Sequence, residues 1–235
     1  MAPLRSYSNW NQRPSDNKDQ IEPYRKYFII AEGMNTERWY FEELINLRKE
    51  FGIHPLIDVR YIERTGEDEG SSHPAKLLCL ADKCRASSEF DSSHDRMIVV
   101  FDADIFECKG ARATGLSEII AEGSKSNILG ITNPSFELFL LLHFPGAYEK
   151  AISKNTQAIV DNEKIGSQRY ISVLLRSFTG INAKRNESIK SLVKKLFEAI
   201  EQEKKVNQDI LSLHGKVTSN IGKILESIVI DNPSP

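Results

Sequence analysis

Short apolar segments alternate with amphipathic segments of helical length over the first 144 residues of the chain. The apolar segments are rich in β-branched and aromatic residues, as buried strands are, and lie at 27–31, 56–63, 97–101 and 127–132. Apolar residues recur at helical spacing in the segments 36–51, 74–88 and 114–122. Strands that alternate with helices in this way form mainly parallel sheets with right-handed crossovers. The predicted fold is therefore α/β, with a mainly parallel sheet covered by helices.

The remaining segments differ in character from this core. Residues 1–25 are polar and show no sustained period, which predicts a disordered tail. Residues 26–146 contain the α/β alternation. Residues 147–235 carry only helical signals, with apolar residues spaced by three and four from 189 to 200 and from 221 to 228. We therefore expect a helical C-terminal region that follows the α/β core.

Composition and hydropathy restrict the class of protein. Hydrophobic residues make up 40% and charged residues 27%, which is ordinary for a globular domain. The longest apolar stretch, 136–144, has about half of the roughly 20 residues that a membrane-spanning helix needs. The N-terminal sequence lacks the apolar run of a secretory signal. We therefore expect a cytoplasmic protein without a membrane partner. The three cysteines show no spacing typical of a zinc site.

Two carboxylates close the third predicted strand, in the sequence Asp102-Ala103-Asp104. In extended backbone, residues i and i+2 point to the same side, and ligands of open parallel sheets collect beyond the strand carboxyl ends. Glu32 follows the first strand at the equivalent end, and Gly33 after it permits a close approach of backbone or ligand. Clustered carboxylates favour a hard divalent cation, Mg²⁺ or Mn²⁺. The alternative is that both aspartates are ordinary solvated turn residues.

The helix after the fourth strand is predicted to begin with Asn133 as its N-cap and Pro134 at its first position. Helical spacing places Glu137 on an apolar face, so that its carboxylate needs a partner. Two roles remain open for Glu137. It either contributes a further metal or water-positioning ligand, or is satisfied by Asn133 and nearby helix N-terminal amides. His143 is expected in the core or behind the site.

The charge distribution suggests a second kind of site. The formal net charge is −2, with −5 in residues 1–130 and +3 in residues 131–235. This pattern suits a cation site in the first part and a surface that faces a polyanion in the second. The candidate nucleic-acid-binding residues are Lys184, Arg185, Lys190 and Lys194. A solvated helix face explains the same charges.

Two segments carry a resemblance to a known family. Residues 32–41 are similar to the E-G-x-x-T-E-x-x-Y-F opening of the RloB-like family. Residues 133–144 resemble its N-P-x-F-E-x-W-L-L-L-H-F segment, with Phe139 where tryptophan is usual. The strand that ends in the two aspartates lies between them in the expected order, and the resemblance spans roughly residues 26–144.

The resemblance implies a TOPRIM-like fold, the metal-binding module of topoisomerases, primases and overcoming-lysogenisation-defect nucleases. It also implies a role in bacterial abortive infection against phage, next to an ATPase partner. Carried over to this chain, Glu32 matches the TOPRIM glutamate, proposed as general acid/base, while Asp102 and Asp104 match the metal-binding D-x-D.

Two functions follow as expectations. The first is a metal-dependent nuclease that hydrolyses phosphodiester bonds of DNA or RNA. The second is a catalytically silent binding or sensor subunit that regulates an ATPase partner. The chain lacks a P-loop, so ATP use would belong to that partner. The sequence leaves open whether the chain forms a homo-oligomer.

Overall fold

The computed structural model describes residues 23–64, 73–106, 111–182 and 187–233 of the 235-residue chain. Its main sheet has five strands in the order β2-β1-β3-β4-β7. They are β1 (Arg25–Ala31), β2 (Ile57–Tyr61), β3 (Arg96–Asp102), β4 (Ile128–Asn133) and β7 (Thr218–Ser219). The first four pair in parallel, and β7 pairs antiparallel to β4. The predicted α/β fold with a mainly parallel sheet is confirmed.

Helices cover both faces of this sheet. They are α1 (Thr36–Asn46), α2 (Pro74–Arg85), α3 (Ala111–Gly123), α4 (Glu137–Leu141), α5 (Thr156–Asp161), α6 (Tyr170–Thr179), α7 (Leu196–Glu203) and α8 (Ile221–Val229). Successive residues of β1 enter different clusters: Ile29 packs with α1, α4 and α8, and Ile30 packs with α2 and α3. A central strand covered on both sides is apolar along its buried stretch, as β1 is over residues 27–31 and β3 over residues 97–101. Within the described residues, no helix is long and apolar enough to cross a bilayer.

The start of α4 differs from the prediction. Asn133 is the last residue of β4, the Asn133–Pro134 peptide bond is cis, and α4 begins only at Glu137. The side chain of Asn133 does not cap α4, because its Nδ2 donates to the carbonyl oxygens of Leu213 (3.1 Å) and Lys216 (2.8 Å). Contacts with a distant segment of the chain therefore replace the local capping role that the sequence pattern indicated.

The C-terminal part is mainly helical as predicted, but it also contains three short strands that the sequence did not indicate. β5 (Lys164–Ile165) and β6 (Gln168–Arg169) form a hairpin immediately before α6. β7 extends the main sheet by pairing Ser219 with Thr132. A two-residue strand is too short to show the alternation by which strands are predicted. Buried apolar residues of α6, α7 and α8 belong to the same core cluster as Tyr27, Ile29 and Ala31 of β1.

A buried carboxylate fixes the last helix. Glu203, at the end of α7, is fully buried and accepts hydrogen bonds from Ser219 Oγ (2.6 Å) and from the backbone N–H groups of Gly222 (2.9 Å) and Lys223 (2.8 Å). Burial raises the pKa of Glu203, and these hydrogen bonds act in the opposite direction. The amides at the start of a helix lack partners within it, so Glu203 caps α8 from a neighbouring helix.

We predict that Glu203→Ala lowers the free energy of unfolding by about 3 kcal/mol, because it leaves buried N–H donors without an acceptor. Urea denaturation measures this change. The matched control is Glu201→Ala, whose carboxylate is exposed and should contribute less than about 0.5 kcal/mol. Equal effects of the two substitutions would contradict the capping role.

Candidate functional site

A cleft of about 340 Å³ lies at the carboxyl ends of β1, β3 and β4. Five of its lining residues are carboxylates: Glu32, Glu37, Asp102, Asp104 and Glu137. The cleft thus brings together every carboxylate predicted as a site residue, and it adds Glu37. Parallel strands end at the same sheet edge, which is why residues that are far apart in the sequence meet here.

Glu32 directly follows β1 and is held by backbone contacts. Its N–H donates to the carbonyl oxygen of Val100 (2.9 Å), and its Oε2 accepts the N–H of Asp102 (3.0 Å). The guanidinium of Arg64 donates to the Glu32 carbonyl oxygen. Burial raises the pKa of Glu32 to about 7, and the negative charge of Asp104 adds to this rise, whereas the Asp102 N–H and Arg64 oppose it.

Asp102 and Asp104 both line the cleft, but they do not share extended backbone. Asp102 ends β3, whereas Asp104 lies in a 3₁₀ turn over Ala103–Phe106, so the prediction that both continue the strand is wrong. Thr132 Oγ1 donates to Asp102 Oδ1 (2.6 Å), and the Asp104 N–H donates to the carbonyl oxygen of Pro134 (3.2 Å). The turn is fixed by the segment that follows β4.

Burial raises the pKa of Asp102 well above its usual range, and the charges of neighbouring carboxylates, Glu37 first among them, raise it further. Like charges that cannot be separated favour a proton on one group or a cation among them. Asp102 is therefore buried among carboxylates whose negative charges disfavour its ionisation.

Glu137 is 6% exposed and is the first residue of α4. Its two carboxylate oxygens accept hydrogen bonds from Ser135 Oγ (2.6 Å) and from Ser172 Oγ of α6 (3.1 Å). The side-chain N–H groups of Asn133, the partner considered in the sequence analysis, instead bind the segment before β7, so the Asn133 part of that alternative is wrong. Glu137 lines the cleft while two serine hydroxyls orient it.

Glu37 was not predicted as a site residue, although it belongs to the segment that carries the family resemblance. It lies in the first turn of α1 and is 7% exposed. Its carboxylate lies against Gly33, in the space that a Cβ atom would occupy. The close approach expected at Gly33 is therefore made by a side chain of the same protein. The signal that could have indicated Glu37 is its place as the second glutamate of that segment, five residues after Glu32 across a strand-to-helix turn.

An aromatic cluster supports α4 beneath the cleft. Tyr40 of α1 contacts the rings of Phe136, Phe139 and His143 edge to face. His143 is fully buried, as expected, and burial lowers its pKa to about 4. Its Nδ1 donates to the Phe139 carbonyl oxygen (3.0 Å), so the neutral ring accepts the Tyr40 hydroxyl at Nε2 (2.9 Å). His143 thus positions α4 and does not reach the cleft lining.

The chemistry of the donor set fits a hard divalent cation. Among the described residues, no three carboxylate, imidazole or thiol side chains are grouped closely enough to bind one metal ion together. Mg²⁺ is usually held by one or two carboxylates, with water and phosphate oxygens as its other ligands. Asp102 and Asp104, with Glu32 and Glu137 nearby, meet that requirement in an acidic cleft.

Of the basic residues predicted to bind nucleic acid, Lys190 and Lys194 do not line the cleft. Lys184 and Arg185 lie outside the described residues. Lys190, in a 3₁₀ segment over Glu187–Lys195, is 3.0 Å from Glu187, and Lys194 lies on the exposed face of the same segment. The positive residue of the lining is instead Arg169, for which the sequence offered no motif.

Fold and site together define an α/β protein of the Rossmann-like and TOPRIM-like kind, with an acidic cleft at the carboxyl edge of a mainly parallel sheet. The family model described as "RloB-like protein" matches residues 27–228, most of the chain. The protein therefore belongs to the RloB-like family. Searches of curated proteins and of solved structures each returned no match. The family match extends well beyond the two segments that carry the resemblance.

We predict that the Glu32 carboxyl of the metal-free protein titrates near pH 7, as followed by NMR of its side-chain carbon and assigned with Glu32→Gln. Asp104→Asn should lower this pKa because it removes a neighbouring negative charge, whereas Asp82→Asn on the exposed face of α2 should not. The folded state holds this proton more tightly than the unfolded state does. The stability that it contributes is therefore complete below about pH 4.5 and is lost as the pH rises through about 7. Titration near pH 4.5 would contradict the prediction.

Proposed function

We propose that the protein is a metal-dependent nuclease that hydrolyses phosphodiester bonds of DNA or RNA in the cytoplasm, as part of bacterial anti-phage defence. The observation that supports this proposal is the acidic cleft, where five carboxylates surround one space at a strand-end edge. Membership of the RloB-like family agrees with it, through the TOPRIM-like pattern that the family resemblance implies.

In this proposal, Asp102 and Asp104 hold Mg²⁺ or Mn²⁺, and Glu137 and Glu37 add negative charge around it. When bound, such an ion would supply charge neutralisation for a phosphate and would activate a water molecule. Asp102 Oδ1 accepts a hydrogen bond from the Thr132 hydroxyl, and this bond fixes the orientation of the second carboxylate oxygen of Asp102. Glu137 is likewise oriented by two serine hydroxyls.

Glu32 has the properties of a proton-transfer residue. A pKa of about 7 lets one carboxyl both accept and release a proton at neutral pH, where general acid–base catalysis is most efficient. The hydrogen bond from the Asp102 N–H fixes one of its oxygens relative to the aspartate pair. We assign Glu32 the role of moving the proton of the attacking water.

The acidic lining itself explains why activity would depend on a cation. Without one, the carboxylates repel an approaching phosphodiester; burial first, and then the same negative charges, raise the pKa of Asp102. With a divalent cation held by Asp102 and Asp104, this barrier to binding would be lower. The cleft would therefore bind its anionic substrate only after a cation has neutralised the carboxylates.

The second candidate function is that of a catalytically silent TOPRIM-like subunit. Such a binding or sensor subunit would regulate an ATPase partner. It is favoured by one observation: no three ligating side chains are grouped around a single ion position in the described residues. This candidate predicts stable co-purification with the ATPase and a defence phenotype that does not change in Asp102→Asn.

We predict that the purified protein, incubated with labelled single-stranded and duplex DNA and RNA, cleaves at least one of them with Mg²⁺ or Mn²⁺ and none with EDTA. Glu32→Gln should lower the rate by about 10²- to 10⁴-fold, because it removes proton transfer. Asp102→Asn should abolish cleavage. Gel electrophoresis of the products measures both effects.

The matched control for these variants is Asp82→Asn, which removes an exposed carboxylate that does not line the cleft. It should cleave as the wild type does, and circular dichroism checks that each variant folds. Cells that carry the protein together with its ATPase partner provide the second readout, because they supply the trigger. Full phage protection by a well-expressed Asp102→Asn variant would reject the nuclease proposal in favour of the silent subunit.

A further inference from the structure

We propose that Arg169 binds a phosphate group of the nucleic-acid substrate and so holds the phosphodiester against the carboxylate side of the cleft. This inference rests on the proposed function. Of the described residues that line the cleft, Arg169 alone carries a positive charge. It comes from the part of the chain in which the sequence shows no motif.

The position of Arg169 is fixed by its surroundings. It ends β6 and immediately precedes α6. Its guanidinium donates to the carbonyl oxygen of Asn162 (3.2 Å), a fully buried residue with left-handed backbone (φ 44°). Asn162 Oδ1 in turn accepts the N–H of Ile171 (3.1 Å), which ties the anchor to the first turn of α6. One of the five guanidinium N–H groups is thus used for positioning.

Arg169 forms no salt bridge with a carboxylate of the described residues. No carboxylate of the described residues lies within 4.0 Å of its guanidinium, although five line the same space. Glu137, which also faces α6, has both oxygens occupied by serine hydroxyls. By contrast, Arg38 and Arg60 on the protein surface each pair with two carboxylates. An unpaired guanidinium beside an acidic cleft is available to an anion.

A phosphodiester is the anion that this arrangement fits. Its non-bridging oxygens match the planar, forked donors of a guanidinium, and arginine is favoured wherever phosphate is bound in this way. The partial positive charge at the amino end of α6, a ten-residue helix that begins at Tyr170, acts in the same direction. The substrate would therefore lie between Arg169 and a cation held by the aspartates.

The test measures binding of short fluorescein-labelled single-stranded DNA and RNA of one sequence by fluorescence anisotropy, with Ca²⁺ present, over a series of salt concentrations. Arg169→Ala should weaken binding about tenfold and reduce the slope of log affinity against log salt by about 0.7, as expected for one lost contact to a single-strand phosphate. Arg169→Lys should restore the slope and only part of the affinity, because lysine binds phosphate as a point charge.

The control is Arg176→Ala, which removes an exposed guanidinium from the same helix and should leave both quantities unchanged. If Arg169→Ala does not fold, Arg169→Gln takes its place and should show the same loss of slope. The nucleic acid whose binding depends more strongly on Arg169 identifies the substrate class. An unchanged slope in the Arg169 variants, an equal loss in Arg176→Ala, or no binding by the wild type would overturn the inference.

Failure of this inference differs from failure of the proposed function. Loss of binding in Arg169→Ala with no effect of Asp102→Asn on cleavage supports the phosphate contact and rejects the catalytic assignment. Loss of cleavage in Asp102→Asn with unchanged binding in Arg169→Ala supports the nuclease and rejects the role of Arg169.

Discussion

Carboxylates that follow β1, β3 and β4 are brought to one edge by the parallel sheet, and their mutual repulsion has to be relieved in the folded protein. Burial raises the pKa values of Glu32 and Asp102, and the negative charges of neighbouring carboxylates raise them further. A proton or a cation removes the conflict. The parallel arrangement of the strands thus determines which carboxylates meet in the cleft.

The remainder of the chain holds this edge in place. The carboxylate of Asp231, near the end of the described residues, accepts hydrogen bonds from Arg25 and from the Tyr27 hydroxyl (2.7 Å), both of β1. Glu203 caps α8, while β7 pairs with the end of β4 that precedes the α4 segment. The C-terminal region is therefore built into the sheet and the core around the cleft.

Sequence patterns predicted the features that depend on long or local signals. The strands at Tyr27–Ala31 and Met97–Phe101 are continuous apolar runs, and Glu32, Asp102 and Asp104 follow from where those runs end. The predicted start of α4 was wrong because the Asn133 side chain donates its hydrogen bonds to residues about 80 positions away in the sequence. The types of the neighbouring residues do not indicate contacts between residues so far apart in the sequence.

Glu37 and Arg169 were missed for related reasons. Glu37 enters the cleft only because the turn through Gly33 folds α1 back over the strand end. Arg169 is placed by a hairpin of two-residue strands, which has no periodic signal. The residues 147–215, which carried no recognisable motif, thus supply the positive side of the site.

The central claim is that the carboxylate cleft binds a divalent cation, and calorimetric titration of Mn²⁺ into the metal-free protein tests it without knowledge of substrate or trigger. The wild type and Asp82→Asn should bind Mn²⁺ alike, and the double variant Asp102→Asn, Asp104→Asn, checked for folding by circular dichroism, should not bind it. Equal binding by all three proteins, or no binding by the wild type, would contradict the account.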